Sequence, residues 1–213
     1  MMTATLEADI HAPPQLGDAA EETQARAALY GLLSHLFLEA PARDLLDRIV
    51  ASMALIGDGS QPLHQAWQAL CAAARSADPT VLRGEFDGLF VGPGRPDVSP
   101  YASAYMGGAR RGHLLAELRD DLAKVGYVRA AGSSEYEDHF SALCEVMRGM
   151  IGEERADASA FAAQREFFGR YLAPWYGAFC DAISQAERAE FYRPVARFVS
   201  AFLVNESEYF ELA

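Results

Sequence analysis

The sequence is short of everything that would mark a site by close spacing alone. Cysteine occurs only three times in 213 residues, as Cys71, Cys144 and Cys180. Each falls among apolar neighbours and none forms a CxxC pair, which leaves no zinc-ribbon or redox-dithiol motif and reads as three buried free thiols. An odd count also argues against a disulfide framework. Five histidines, His11, His35, His64, His113 and His139, are scattered, and no Glu-x-x-His occurs, so the paired signature of a di-iron bundle is missing. No glycine-rich stretch ends in Gly-Lys-Ser/Thr, as a P-loop requires. No apolar run approaches the roughly 18 residues of a membrane span. The N-terminus lacks the basic-then-apolar order of a secretory signal, being interrupted by Glu7, Asp9 and Pro13-Pro14, and predicts a cytoplasmic chain. Basic residues are also few: 18 against 30 acidic, a net charge of −12. That balance opposes nucleic-acid binding by phosphate neutralisation and favours a basic partner.

What is present is a globular composition, 51% hydrophobic and 23% charged, over a length suited to one domain with a substantial core. Alternating runs rich in Val, Ile and Thr are absent, whereas three- and four-residue apolar steps recur throughout. The fold class is therefore all-α, a single-domain irregular bundle of roughly nine to eleven helices. Residues 1–20 lack periodicity and are expected to form a flexible extension to an all-helical domain over 21–213.

The first helix is expected over 21–38, with Ala25, Ala28, Leu29, Leu32, Leu33, Leu36 and Phe37 on its apolar face, stopped before Pro41. A second carries Leu45, Leu46, Ile49, Val50 and Met53 up to a turn at Gly57-Asp58-Gly59-Ser60. Pro62 opens a third. Asp78-Pro79 supplies an N-cap and first turn for a helix bearing Leu82, Phe86 and Leu89. Further on, Leu114, Leu115, Leu118, Leu122 and Val125 form a stripe closed by Gly126 at a C-terminal cap. Ser134 and Glu137 make a capping box for a helix through Phe140, Leu143, Met147, Met150 and Ile151. Three more stripes follow, centred on Phe161–Tyr171, Trp175–Ile183 and Val195–Leu203.

Two segments carry most of the information. Glu85-Phe86-Asp87-Gly88-Leu89-Phe90-Val91-Gly92-Pro93-Gly94 leaves a helix on two bulky residues and turns sharply. Pro100-Tyr101-Ala102-Ser103-Ala104-Tyr105 then reads as a new helix start, with Ser99 as N-cap and tyrosines four apart on one face. Leu89, Phe90, Tyr101 and Tyr105 could thus surround one depression, although core burial would serve Leu89 and Phe90 equally well. Gly92, Pro93, Gly94 and Pro100 shape the connecting loop.

These offsets resemble the TorD/DmsD family of redox-enzyme maturation chaperones: an acidic residue, three others, LF, one residue, GPG, then proline, aromatic, serine and tyrosine. The match falls on Glu85, Leu89, Phe90, Gly92, Pro93, Gly94, Pro100, Tyr101, Ser103 and Tyr105. Glu135-Tyr136-Glu137-Asp138-His139 resembles the family's acidic Asp-His helix start, with Tyr136 where proline is usual. Weaker likeness extends to Tyr30, Leu33, Phe37 and Pro41, and to Phe167, Phe168 and Pro174-Trp175.

The resemblance implies a cytoplasmic, non-enzymatic chaperone. It would bind the twin-arginine leader, and sometimes the body, of a molybdopterin-dependent catalytic subunit and hold it until its cofactor is inserted. It also implies a monomer or a domain-swapped homodimer, for which residues 126–133 could serve as hinge. No obligatory cofactor is implied, although guanine nucleotides have been associated with some members.

A leader of two guanidinium groups followed by an apolar run needs carboxylates beside an apolar groove. Glu85, Asp87, Glu135, Glu137 and Asp138 are candidates for the first, and Leu89, Phe90, Tyr101, Tyr105 and Phe140 for the second. Ser103 and His139 complete the expected site. Reversing Asp138 to lysine is expected to weaken leader binding while the fold persists, although an aspartate there would also suit the helix dipole without a ligand. Two other classes stay open. Stoichiometric iron or manganese would point to a helical-bundle metalloenzyme, and the absence of any molybdoenzyme subunit among co-purifying proteins to a generic interaction module.

Overall fold

The computed structural model describes residues 16–52, 61–92, 96–107, 110–127, 136–152 and 158–212. Within them lie nine α-helices: α1 (Leu16–Leu38), α2 (Arg43–Ala51), α3 (Pro62–Ser76), α4 (Pro79–Phe86), α5 (Arg110–Lys124), α6 (Phe140–Gly152), α7 (Ala158–Tyr171), α8 (Tyr176–Gln185) and α9 (Tyr192–Leu212). The all-α expectation is met. Pro93, Gly94, Ser134, Glu135, the turn at 57–60 and most of the hinge at 126–133 lie outside the described residues.

Local chemistry explains several boundaries. Pro62 occupies the first turn of α3, where its missing N–H costs no hydrogen bond. Asp78 caps α4, its carboxylate accepting the Thr80 N–H at 2.7 Å. After α5, Gly126 adopts φ +83°. Its N–H donates to the Ala123 carbonyl at 3.2 Å, and that of Tyr127 to the Leu122 carbonyl at 2.9 Å. These two bonds form a Schellman closure, whose left-handed residue glycine adopts without strain.

Helix α1 begins at Leu16, five residues ahead of the expected start. Its buried stripe also departs from expectation. Arg26, Tyr30, Leu33 and Phe37 face the core, whereas Ala25 and Ala28 are exposed along a groove shared with α2 and α3. Arg26 is accommodated because its guanidinium forms a two-pronged bond with Glu206 on α9, at 2.7 and 2.8 Å. Phe37 sits at the centre of the core, its ring 4.9–5.8 Å from those of Phe90, Phe140, Phe179 and Tyr192. Helix α1 packs along α6, while α9 packs on α3 and α8.

Asp121 on α5 anchors α7. It accepts from Arg170 at 2.7 Å, Tyr171 at 2.6 Å and its own helix's Lys124 at 2.7 Å. The bonds from Lys124 and Tyr171, helped by the Arg170 charge, hold its carboxyl below the ordinary value. A depressed acid stabilises the fold above its unfolded pKa and loses that contribution as pH falls through its folded pKa. Melting temperatures at about pH 7 and about pH 3, bracketing the ordinary carboxylate range, should converge more in Asp121→Asn than in the parent. Equal pH sensitivity of the two proteins would refute this.

Candidate functional site

Helix α4 runs on through Leu89 as the sequence suggests, but its last turn changes type. A π-helical turn over Asp87–Val91 continues it, with the Gly92 N–H donating to the Asp87 carbonyl at 2.6 Å. The wider turn directs Phe86, Leu89 and Phe90 inward, so all three are buried. A Cβ at Gly88 would collide with the Arg188 guanidinium, which is held by Asp97 at 2.5 Å. The loop closes back on the turn through the Val98 N–H, 2.9 Å from the Leu89 carbonyl.

The second segment is not a helix face. Tyr101 forms an isolated antiparallel bridge with His139, followed by one 3-10 turn over Ala102–Ala104. The Ala102 N–H donates to the Asp138 carbonyl at 3.0 Å, and the Phe140 N–H to the Pro100 carbonyl at 2.8 Å. Between them Tyr101 and His139 are the non-hydrogen-bonded pair, which brings their side chains close; the ring centroids are 4.9 Å apart. The Asp138 carboxylate adds a bond from the Ser103 N–H at 3.0 Å. Helix α6 starts only at Phe140, and Glu137 accepts from Arg119 on α5; the expected capping-box partner Ser134 lies outside the described residues.

The two informative segments are thus laced together, but their side chains divide by burial. Leu89, Phe90 and Phe140 belong to the core rather than to an open depression. Glu85 is also buried and accepts three backbone N–H groups at the start of α9: Glu190 at 2.9 Å, Phe191 at 3.1 Å and Tyr192 at 2.9 Å. Asp138 is 1% exposed and His139 5%. His139 Nδ1 accepts the Ser141 N–H at 3.2 Å, which places the proton of the neutral ring on Nε2. A lysine at 138 would bury an ammonium where a carboxylate holds Ser103, so charge reversal there disturbs the fold and is no clean test of binding.

Tyr101, Ser103, Tyr105 and Glu137 are half-buried, beside exposed Tyr136. Tyr105 lies flat against Trp175 at 5.4 Å, and burial pushes its phenol up to about 12, so it stays neutral at physiological pH. Glu137 and Arg119 form a fork at 2.9 and 3.0 Å. Arg119 escaped sequence reasoning because a lone arginine beside an apolar stripe looks like any solvated helix position. Among the described residues no group of three or more His, Cys, Asp or Glu stands together as metal donors. Nor is any described helix long and apolar enough to cross a membrane.

An all-helical bundle in which an LF-x-Gly segment and a Pro-Tyr-x-Ser-x-Tyr segment are laced to an Asp-His helix start is a TorD-like maturation-protein fold. Residues 57–181, more than half of the chain, match the family model described as nitrate reductase delta subunit, and the chain belongs to that family. It is 24% identical to the chaperone protein TorD of Shewanella loihica over 210 residues, covering 90% of this chain and 95% of that one. To the chaperone protein YcdY of Escherichia coli it is 29% identical over 169 residues, covering 78% and 84%. A solved structure from Archaeoglobus fulgidus, assigned to redox enzyme maturation, shares the fold at a TM-score of 0.52 and 18% identity, covering 96% and 99%.

Proposed function

We propose that this protein is a cytoplasmic chaperone that holds the twin-arginine leader of a molybdopterin-dependent catalytic subunit until cofactor insertion, with no reaction of its own. The observation that carries the proposal is the lacing of residues 100–103 to 138–140, which brings the segment bearing half-buried Tyr101, Ser103 and Tyr105 alongside that bearing half-buried Glu137. Glu137 offers a carboxylate to a guanidinium, and the tyrosines offer amphipathic surface to the apolar run that follows it. Leu89, Phe90 and Phe140 support this face from the core, while Asp138 and His139 fix its backbone. The names of the related chaperones and the acidic balance of the chain both favour such a basic client.

Calorimetric titration with a synthetic leader peptide tests the reading. Tyr101→Ala is expected to weaken binding by about tenfold, the scale of an aromatic contact residue, while the melting temperature changes little. Unchanged affinity would remove this face from the contact. Mass spectrometry of proteins co-purifying with the full chain should find a molybdoenzyme catalytic subunit, and its consistent absence would argue against the client named here.

A further inference from the structure

We propose that the groove between α1, α2 and α3 is a docking site for an acidic amphipathic helix on a partner protein, built from none of the residues assigned to the leader. Leu29, Leu32, Leu45, Ile49 and Trp67 give it an apolar lining, and its volume of about 590 Å³ falls within the roughly 300–1,000 Å³ of formed binding clefts. On α1 the lining recurs at three- and four-residue steps, from exposed Ala25 and Ala28 through Leu29 and Leu32 to exposed His35, a stripe about 15 Å long. Leu45, Arg48, Ile49 and Ser52 repeat the pattern on α2. Two such stripes side by side form the receptor shape of helix-in-groove recognition, in which an incoming helix lays its apolar side between them.

Charge selects the occupant. The chain carries a net −12, yet the described residues lining this groove include two arginines and a histidine and no carboxylate. They come from three helices: His35 from α1, Arg48 from α2 and Arg148 from α6. The Arg48 side chain is 70% exposed, and its ion-pair partner Asp44, at 3.9 Å, stands beyond hydrogen-bond distance, so its donors are open to another carboxylate. Arg148 forks onto Glu145 through two of its nitrogens, which leaves the third. Its stem crosses α1 at Gly31, where a Cβ would stand 2.9 Å from the Arg148 Cδ. On the same turn His35 donates its Nδ1 proton to the Gly31 carbonyl at 2.8 Å and keeps Nε2 for another partner. Exposed pairs within one helix hold their members weakly, so both arginines turn to an incoming carboxylate at little cost. A basic leader is mismatched here, whereas an apolar stripe flanked by Glu or Asp is complementary to both floor and rim.

The probe is a synthetic helical peptide of about 18 residues, with leucines at three- and four-residue steps flanked by glutamates. Calorimetry on the full chain should show binding that weakens as salt rises, and a counterpart peptide with lysine for every glutamate should bind about tenfold more weakly or not at all. Ala28→Glu sets a carboxylate in the groove at an exposed position and should lower affinity for the acidic peptide about tenfold. Ala28→Lys, of similar bulk and opposite charge, should lose less. Arg48→Gln should lose about threefold, the scale of one solvated charge pair. Melting followed by circular dichroism should be close to that of the parent in all three, since none of these side chains is in the core. Failure of the parent to bind, equal binding of the two peptides, affinity unmoved by Ala28→Glu, or equal loss in Ala28→Glu and Ala28→Lys each overturns the proposal. So does a dimer of the parent in sedimentation that Ala28→Glu dissociates, which would assign the groove to a second copy of the chain.

Discussion

Replacing Glu206 by alanine is expected to cost about 3–5 kcal/mol of folding stability, the usual consequence of stranding one member of a buried ion pair. Glu206 is 3% exposed and its partner Arg26 8%. The Arg26 guanidinium also lies 4.2 Å from the centroid of the Tyr209 ring and 5.3 Å from that of Phe210, and the Tyr30 hydroxyl beside the pair is neutral and cannot replace the charge of the carboxylate. Burial opposes the charged form of Arg26, and the bond and charge of Glu206 outweigh it, raising the pKa. For a chain of this size the loss corresponds to a fall in melting temperature of roughly 10 °C. The double change Arg26→Met with Glu206→Leu should recover most of it, because no charge is then left unpaired. A loss under about 1 kcal/mol in Glu206→Ala would show that the pair is solvated in practice. The pair has a structural consequence as well: it ties α9 to α1, and α1 packs along α6, which follows directly on the Glu137–His139 segment of the candidate site.

The same pair shows how far the sequence could be read. Arg26 stands on the stripe with Tyr30, Leu33 and Phe37, and Glu206 on that with Val199, Phe202 and Phe210. A charge on an apolar stripe demands a buried partner, so the need was legible although the partner, 180 residues away, was not. Features set by near neighbours were plain: the proline opening α3, the Asp78 cap and the Gly126 closure each follow from a few adjacent residues.

The site was legible in its membership and not in its geometry. The motif residues do meet, but Tyr101 and Tyr105 do not share a helix face, because the Asp138 carbonyl takes the Ala102 N–H and leaves room for a single 3-10 turn. Leu89 and Phe90 could not be divided between groove and core by pattern, since an apolar residue looks the same in either place. The π-helical turn that buries them both inserts one residue per turn without any distinctive composition. The fork between Glu137 and Arg119 on α5 joins residues 18 apart, a contact that the local pattern around either residue does not announce.

Glu85 poses the sharper question, because in sequence it looks like a leader contact and in the fold it acts as an N-terminal cap supplied from another helix. Its two oxygens take the first amides of α9 and face the positive end of that helix dipole. Glu85→Ala strands these donors, two of them through bonds in the interior, and is expected to cost about 3 kcal/mol, from roughly 1–3 kcal/mol per unsatisfied buried group after partial rescue by water. Glu85→Gln keeps one acceptor oxygen and loses the charge, so its loss should be about half as large. Chemical denaturation of the two variants measures both values. Leader affinity, read well below the melting transition, should stay within about twofold of the parent in Glu85→Gln, since a positioning residue beneath the face does not touch the peptide. The opposite pattern, a preserved melting temperature with a tenfold loss of affinity, would return Glu85 to the contact surface. It would also require α9 to give up its cap when the leader binds, and slower amide exchange at residues 190–192 in the free protein than in the complex would then reveal the exchange of partners.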